Sequence, residues 1–163
     1  MIESLKIAGL RVDKGGMTKF IAAILFLTAT LFAQRPTVER LDEVRAELRP
    51  FLDALIHVES NGDDNAVGDK GKALGCLQIW EIYWTDAVEY APKLGGKYDD
   101  VRQRIYAERV VCAYLLRYAR HAVAEKNYEV LARIHNGGPA GASKKATAPY
   151  WAKVSKALKG KGR

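Results

Sequence analysis

Two carboxylates, Glu59 and Asp69, are the side chains of this sequence best placed to do chemistry. Glu59 ends the run Pro50-Phe-Leu-Asp-Ala-Leu-Ile-His-Val-Glu59-Ser60, whose proline suits a first helical turn and whose apolar residues recur at helical spacing. Leu52, Leu55 and Ile56 precede Glu59 by seven, four and three positions, which sets the acid on the apolar stripe of that helix. Burial disfavours the charged form of a carboxyl group, so such a face suits an acid that must carry a proton to a leaving group. Asp69 stands in the glycine-bracketed loop Gly68-Asp69-Lys70-Gly71, a wetter setting that suits a carboxylate that must stay ionised. One acid on an apolar helix face and one in a polar loop are the pair that glycoside hydrolysis uses. The plain alternative is a pair of solvated or capping acids, as Asp63 and Asp64 are expected to be in the turn after Asn61-Gly62.

Other side chains around this pair have two readings each. Ser60 either orients Glu59 or caps the helix end, since serine often bonds to nearby backbone. Lys70 either tunes Asp69 or is solvated. Gln78 and Tyr83 follow the aspartate loop where a cleft floor would lie, offering an amide and a ring edge, although Tyr83 and Trp84 also have the spacing of packing aromatics. His135 and Asn136 lie at a helix end against Gly137-Gly138, where side chains can face a cleft; His57 and His121 read as structural. No two histidines or cysteines stand at ligand spacing, so no metal site and no cofactor are expected. Cys76 and Cys112 lack the partners of a thiol nucleophile, and whether they pair or remain buried thiols is open.

The elements that must position these groups follow from hydrophobic periodicity. Val38, Leu41, Val44 and Leu48 mark an amphipathic helix from Thr37 to Arg49, with the Glu59 helix directly after it. Residues 62–79 are rich in glycine and aspartate and predict a small irregular hairpin. A helix from Ile79 to Ala91 is expected to bury Trp80, Tyr83, Trp84, Ala87 and Val88. The longest helix, capped by Asp99 or Asp100, is expected to run to about Glu125 with Val101, Ile105, Val111, Tyr114, Leu115, Tyr118 and Ala122 as its stripe. Asn127 caps a segment to Ile134, and Pro149 opens a last helix to about Leu158. The fold class is α+β, mostly helical, with a small hairpin region beside the helix that carries Glu59.

At 163 residues the chain is one domain's worth, long enough to bury a core without staples. Lys19 followed by the apolar run Phe20 to Ala33 reads as a signal peptide, too short for a bilayer span of about 20 residues. Residues 1–33 are therefore assigned to an extension plus signal peptide and residues 34–163 to the domain, with Met1 or Met17 as the start. The expected product is secreted or periplasmic, monomeric and without a membrane anchor after cleavage. Of 26 basic and 19 acidic residues, residues 1–33 hold four and two, leaving 22 against 17, a net +5. That charge favours anionic polymers. The basic residues are scattered among acids except for a tail of Lys153, Lys156, Lys159, Lys161 and Arg163, which speaks against a nucleic-acid reader.

Val58-Glu59-Ser60, Gly68-Asp69-Lys70-Gly71, Gly75-Cys76-Leu77-Gln78-Ile79 and Tyr83-Trp84-Thr85-Asp86 together resemble the core of the invertebrate-type (destabilase) lysozymes. So does Ala132-Arg133-Ile134-His135-Asn136-Gly137-Gly138-Pro139, followed by Thr147 and Tyr150-Trp151. The resemblance implies a lysozyme-like fold and cleavage of the β-1,4 bond between N-acetylmuramic acid and N-acetylglucosamine, in peptidoglycan or a related polymer. It maps the catalytic glutamate onto Glu59 and the catalytic aspartate onto Asp69, and places His135, Asn136 and Gly137 at the sugar site. The chain departs from the animal members in having two cysteines in place of many and a shorter stretch between the acids. Two other readings compete: a lytic transglycosylase that uses Glu59 alone, and a non-catalytic basic protein that binds walls.

Overall fold

A computed structural model describes residues 35–160, and the signal-peptide assignment lies outside them. Seven helices and one small sheet make up this part, and none of these helices is long and apolar enough to cross a membrane. α1 (Val38–Glu47) starts where the Thr37 hydroxyl accepts the Arg40 amide, and buries Leu41 and Val44. α2 (Arg49–Ser60) carries its proline in the first turn and ends at Asn61, whose left-handed conformation and a following Gly62 stop the helix as the sequence predicts.

Three two-residue strands, β1 (Val67–Gly68), β2 (Ala73–Leu74) and β3 (Ile79–Trp80), form an antiparallel sheet in chain order. Val67 pairs with Leu74, and Leu74 with Ile79. The ladder is too short to hold itself, and Tyr98 pins it: its hydroxyl bridges the carbonyls of Lys72 at 2.9 Å and Ile79 at 2.8 Å. Gly75 is irreplaceable by a larger residue, because it has φ +75° and a Cβ there would meet the Val101 carbonyl at 2.3 Å.

Two expectations fail at α3 (Glu81–Tyr90), which begins two residues later than predicted. Trp80 belongs to β3, is 41% exposed and is not part of the buried side. The predicted long helix is three pieces: a 3₁₀ segment Tyr98–Arg102, α4 (Arg104–Tyr118) and α5 (Arg120–Ala124). Asp100 caps the first piece by accepting the Lys97 amide. Ile105, assigned to the buried stripe, is 53% exposed because the extended backbone at Gln103 resets the helical phase before α4 begins. α4 is nonetheless the central helix: residues 107, 108 and 110–116 are buried, and α1, α3 and α6 pack around it.

α6 (Tyr128–Gly137) is capped by Asn127, whose side chain accepts the Val130 amide. It runs three residues past the predicted end, so His135, Asn136 and Gly137 are helical. α7 (Ala148–Gly160) packs on α2 and α6. Cys76 and Cys112 are free and buried, which decides the question that the sequence left open.

Candidate active site

Glu59 reaches the site because the last turn of α2 is pressed against α7. Its side chain is 18% exposed, and its Oε1 accepts a 2.6 Å hydrogen bond from the Tyr150 hydroxyl. His135 Nε2 stands 3.5 Å from the same oxygen. The other ring nitrogen, Nδ1, lies 3.1 Å from the Tyr83 hydroxyl. A hydroxyl that donates to Nδ1 leaves the proton of a neutral ring on Nε2, facing Glu59. Tyr83, a buried residue, is stacked on Tyr114 with ring centroids 3.6 Å apart and meets His135 edge-on. Burial and the nearby charges push the Tyr83 phenol well above its ordinary value, and burial beside Glu59 does the same to Tyr150. Both phenols therefore stay hydrogen-bond donors through neutral pH.

Tyr150 is placed by an interlock at the start of α7. Arg133 on α6 donates from Nε to the Thr147 hydroxyl and from Nη2 to the Lys144 carbonyl, both at 3.0 Å. The Thr147 hydroxyl in turn donates to the Gly141 carbonyl at 2.8 Å. Gly137 belongs to this interlock and does not line the cleft. A Cβ on it would meet the Thr147 methyl at 2.5 Å, and its carbonyl accepts from the Lys144 ammonium.

Asp69 is exposed and opens a one-turn 3₁₀ segment with φ +46°, and Lys70 follows at +58°. Two successive non-glycine residues in the left-handed region are uncommon, at a cost of roughly 1–2 kcal/mol each, and such strain concentrates at functional sites. The Asp69 carboxylate accepts a 3.0 Å hydrogen bond from the Trp80 indole, and the Lys72 ammonium sits over the Trp80 ring. Lys70 is exposed, and among the described residues it forms no ion pair with Asp69.

Glu59, Asp69, Gln78, Tyr83, His135 and Asn136 line one open cleft of about 680 Å³. Gln78 reaches it from a left-handed backbone, φ +47°, with its amide tied to the Gly75 carbonyl. Gly68 makes room for it, since a Cβ there would fall 1.9 Å from the Gln78 side-chain oxygen. Ser60 does not line the cleft. Its hydroxyl donates to the Cys76 carbonyl at 3.0 Å, tying the end of the Glu59 helix to the hairpin segment that carries Asp69. Tyr150 and Trp80 are the partners that sequence reasoning missed. Tyr150 stood in the quoted Tyr150-Trp151 block, and the place of Trp80 just before a helix start was its only signal.

The family model described as Destabilase matches residues 50–157. The lysozyme of Magallana gigas is 38% identical over 80 residues, which are 49% of this chain and 56% of that relative. Lysozyme 1 of Crassostrea virginica is 36% identical over 81 residues, 49% of this chain and 42% of the relative. The chain thus spans between about two-fifths and two-thirds of the length of the curated relatives it matches. The crystal structure of Tapes japonica lysozyme shares its fold with a TM-score of 0.57 at 30% identity, over 66% of this chain and 88% of that one. The inhibitor-bound lysozyme of Meretrix lusoria gives 0.55 at 31%, with the same coverage of each chain. The fold is the expected lysozyme-like α+β fold, mostly helical.

Proposed function

Because the chain belongs to the destabilase family, the invertebrate-type lysozymes, we propose that it is an exported muramidase that hydrolyses the β-1,4 bond between N-acetylmuramic acid and N-acetylglucosamine in peptidoglycan. The observation that carries this reading is that Glu59 and Asp69, from a helix end and a strained loop, line the same cleft. Glu59 donates its proton to the leaving glycosidic oxygen. Asp69 attacks the anomeric carbon or stabilises the oxocarbenium ion, and water then completes hydrolysis with Glu59 as base and net retention.

The surroundings support this division of labour. Tyr150 holds one oxygen of Glu59, with His135 Nε2 3.5 Å from the same atom, which leaves the other free for the glycosidic bond. Trp80 holds one oxygen of Asp69 and leaves the other free for the sugar. Gln78 and Asn136 offer amides to the acetamido groups of the glycan. The enzyme acts as a secreted or periplasmic monomer and needs no cofactor.

Mass spectrometry of the fragments released from purified peptidoglycan tests the proposal. Reducing muramic acid ends are expected. Anhydro ends would replace it with the transglycosylase mechanism, and intact glycan would leave a wall-binding protein.

A further inference from the structure

We propose that a groove beside the catalytic cleft, formed by α2 and α7, binds the carboxylates of the peptide stems attached to the glycan. The inference rests on the peptidoglycan reading above. The groove has a volume of about 540 Å³ and is lined by His57, Val58, Lys153, Lys156, Ala157 and Gly160. Val58 and Lys153 also line the cleft, so the two recesses meet beside Glu59.

The charge of the groove is one-signed. No carboxylate lines it, and among the described residues its two lysines, Lys153 and Lys156, make no ion pair. This sets them apart from the arginines, most of which are bridged to acids: Arg40, Arg45, Arg49, Arg102, Arg104, Arg109, Arg117 and Arg133 all have carboxylate partners. The two lysines stand three residues apart and are both exposed. Unpaired ammonium groups along one wall attract anions, and lysine, a compact charge on a flexible stem, imposes no fixed geometry on them.

The ligand chemistry follows from the substrate. Muramic acid carries its peptide on the lactyl ether of the same sugar whose glycosidic bond is cleaved. With that bond at Glu59, the peptide must leave the cleft over an edge close to Glu59. The edge at Val58 and Lys153 leads into a cationic groove, which matches the free carboxylates of the peptide. Teichoic-acid phosphates are the other anions of a wall, and the experiment separates the two.

Binding is measured by co-sedimentation at low salt, with the full chain in a Glu59→Gln background that leaves the glycan uncut. The ligands are peptidoglycan stripped of teichoic acid, the same material with its carboxylates amidated, walls that retain teichoic acid, and chitin. On stripped peptidoglycan, Lys156→Gln is expected to weaken binding about three- to fivefold, with a larger loss for Lys153→Gln/Lys156→Gln. The loss should vanish on amidated material, on chitin and at high salt. Equal binding by all variants would overturn the proposal, as would a loss confined to walls that carry teichoic acid. Failure of the muramidase reading shows separately, as a wild-type protein that releases no fragments.

Discussion

The Tyr150 hydroxyl donates to Oε1 of Glu59 at 2.6 Å, across 91 positions of sequence. The phenol fixes the rotamer of the acid and, with burial keeping it protonated, cannot exchange that role for an ionised one near neutral pH. Tyr150→Phe keeps the ring and removes only the donor. A hydrogen bond to a charged group contributes about 1.5–3 kcal/mol, so kcat is expected to fall by about tenfold or more while KM changes less. Wild-type kcat in the variant would mean that Tyr150 only packs.

Glu59→Gln should abolish hydrolysis in a folded protein, since glutamine has the size but no proton to give. General acid catalysis contributes roughly 10²- to 10⁴-fold, so residual activity above about a tenth of wild type refutes the assignment. Asp69→Asn should also be inactive if two acids share the work. An Asp69→Asn enzyme with full turnover and anhydro products would favour the single-acid mechanism.

Cys76 and Cys112 should be inert in the native state. Burial pushes both thiols up to about 12 from an ordinary 9.0, and the thiolate is the reactive form. Ellman's reagent is expected to detect no thiol at pH 8 until denaturant is added, and then two. The sign for stability follows: the folded state keeps protons that the unfolded chain releases, so stability is complete below about 9 and falls as pH rises toward about 12. Rapid modification of either thiol in the native protein would contradict this.

Glu108, 2% exposed on α4, accepts from both Nη atoms of Arg49 at 2.9 Å and from Arg45 at 3.1 Å. It joins the central helix to α1 and to the start of α2, the helix that ends in Glu59. Breaking a buried ion pair costs roughly 3–5 kcal/mol, and because both arginines reach water the low end applies. Glu108→Ala should lose about 3 kcal/mol in denaturant unfolding, whereas Glu108→Leu should lose less. Equal stability of Glu108→Ala and wild type would show that the triad holds nothing.

What the sequence determined alone was local. Periodicity placed Glu59 on an apolar helix face, Asn61-Gly62 stopped that helix, Asn127 started α6, and the glycine-bracketed Asp69 loop marked a hairpin, because capping and turn residues act on their immediate neighbours. Trp80 and Ile105 were misread because their phase depends on where a helix starts, and uncapped starts leave no local mark. Only the tertiary structure decided which residues surround the acids. Tyr150 meets Glu59 because an Arg133–Thr147 interlock aims α7, Trp80 meets Asp69 because a two-residue strand turns it outward, and Ser60 bonds to Cys76 and not to the cleft. Each of these contacts joins segments that nothing along the chain links, and the packing of the helices around α4 brings them within hydrogen-bond reach.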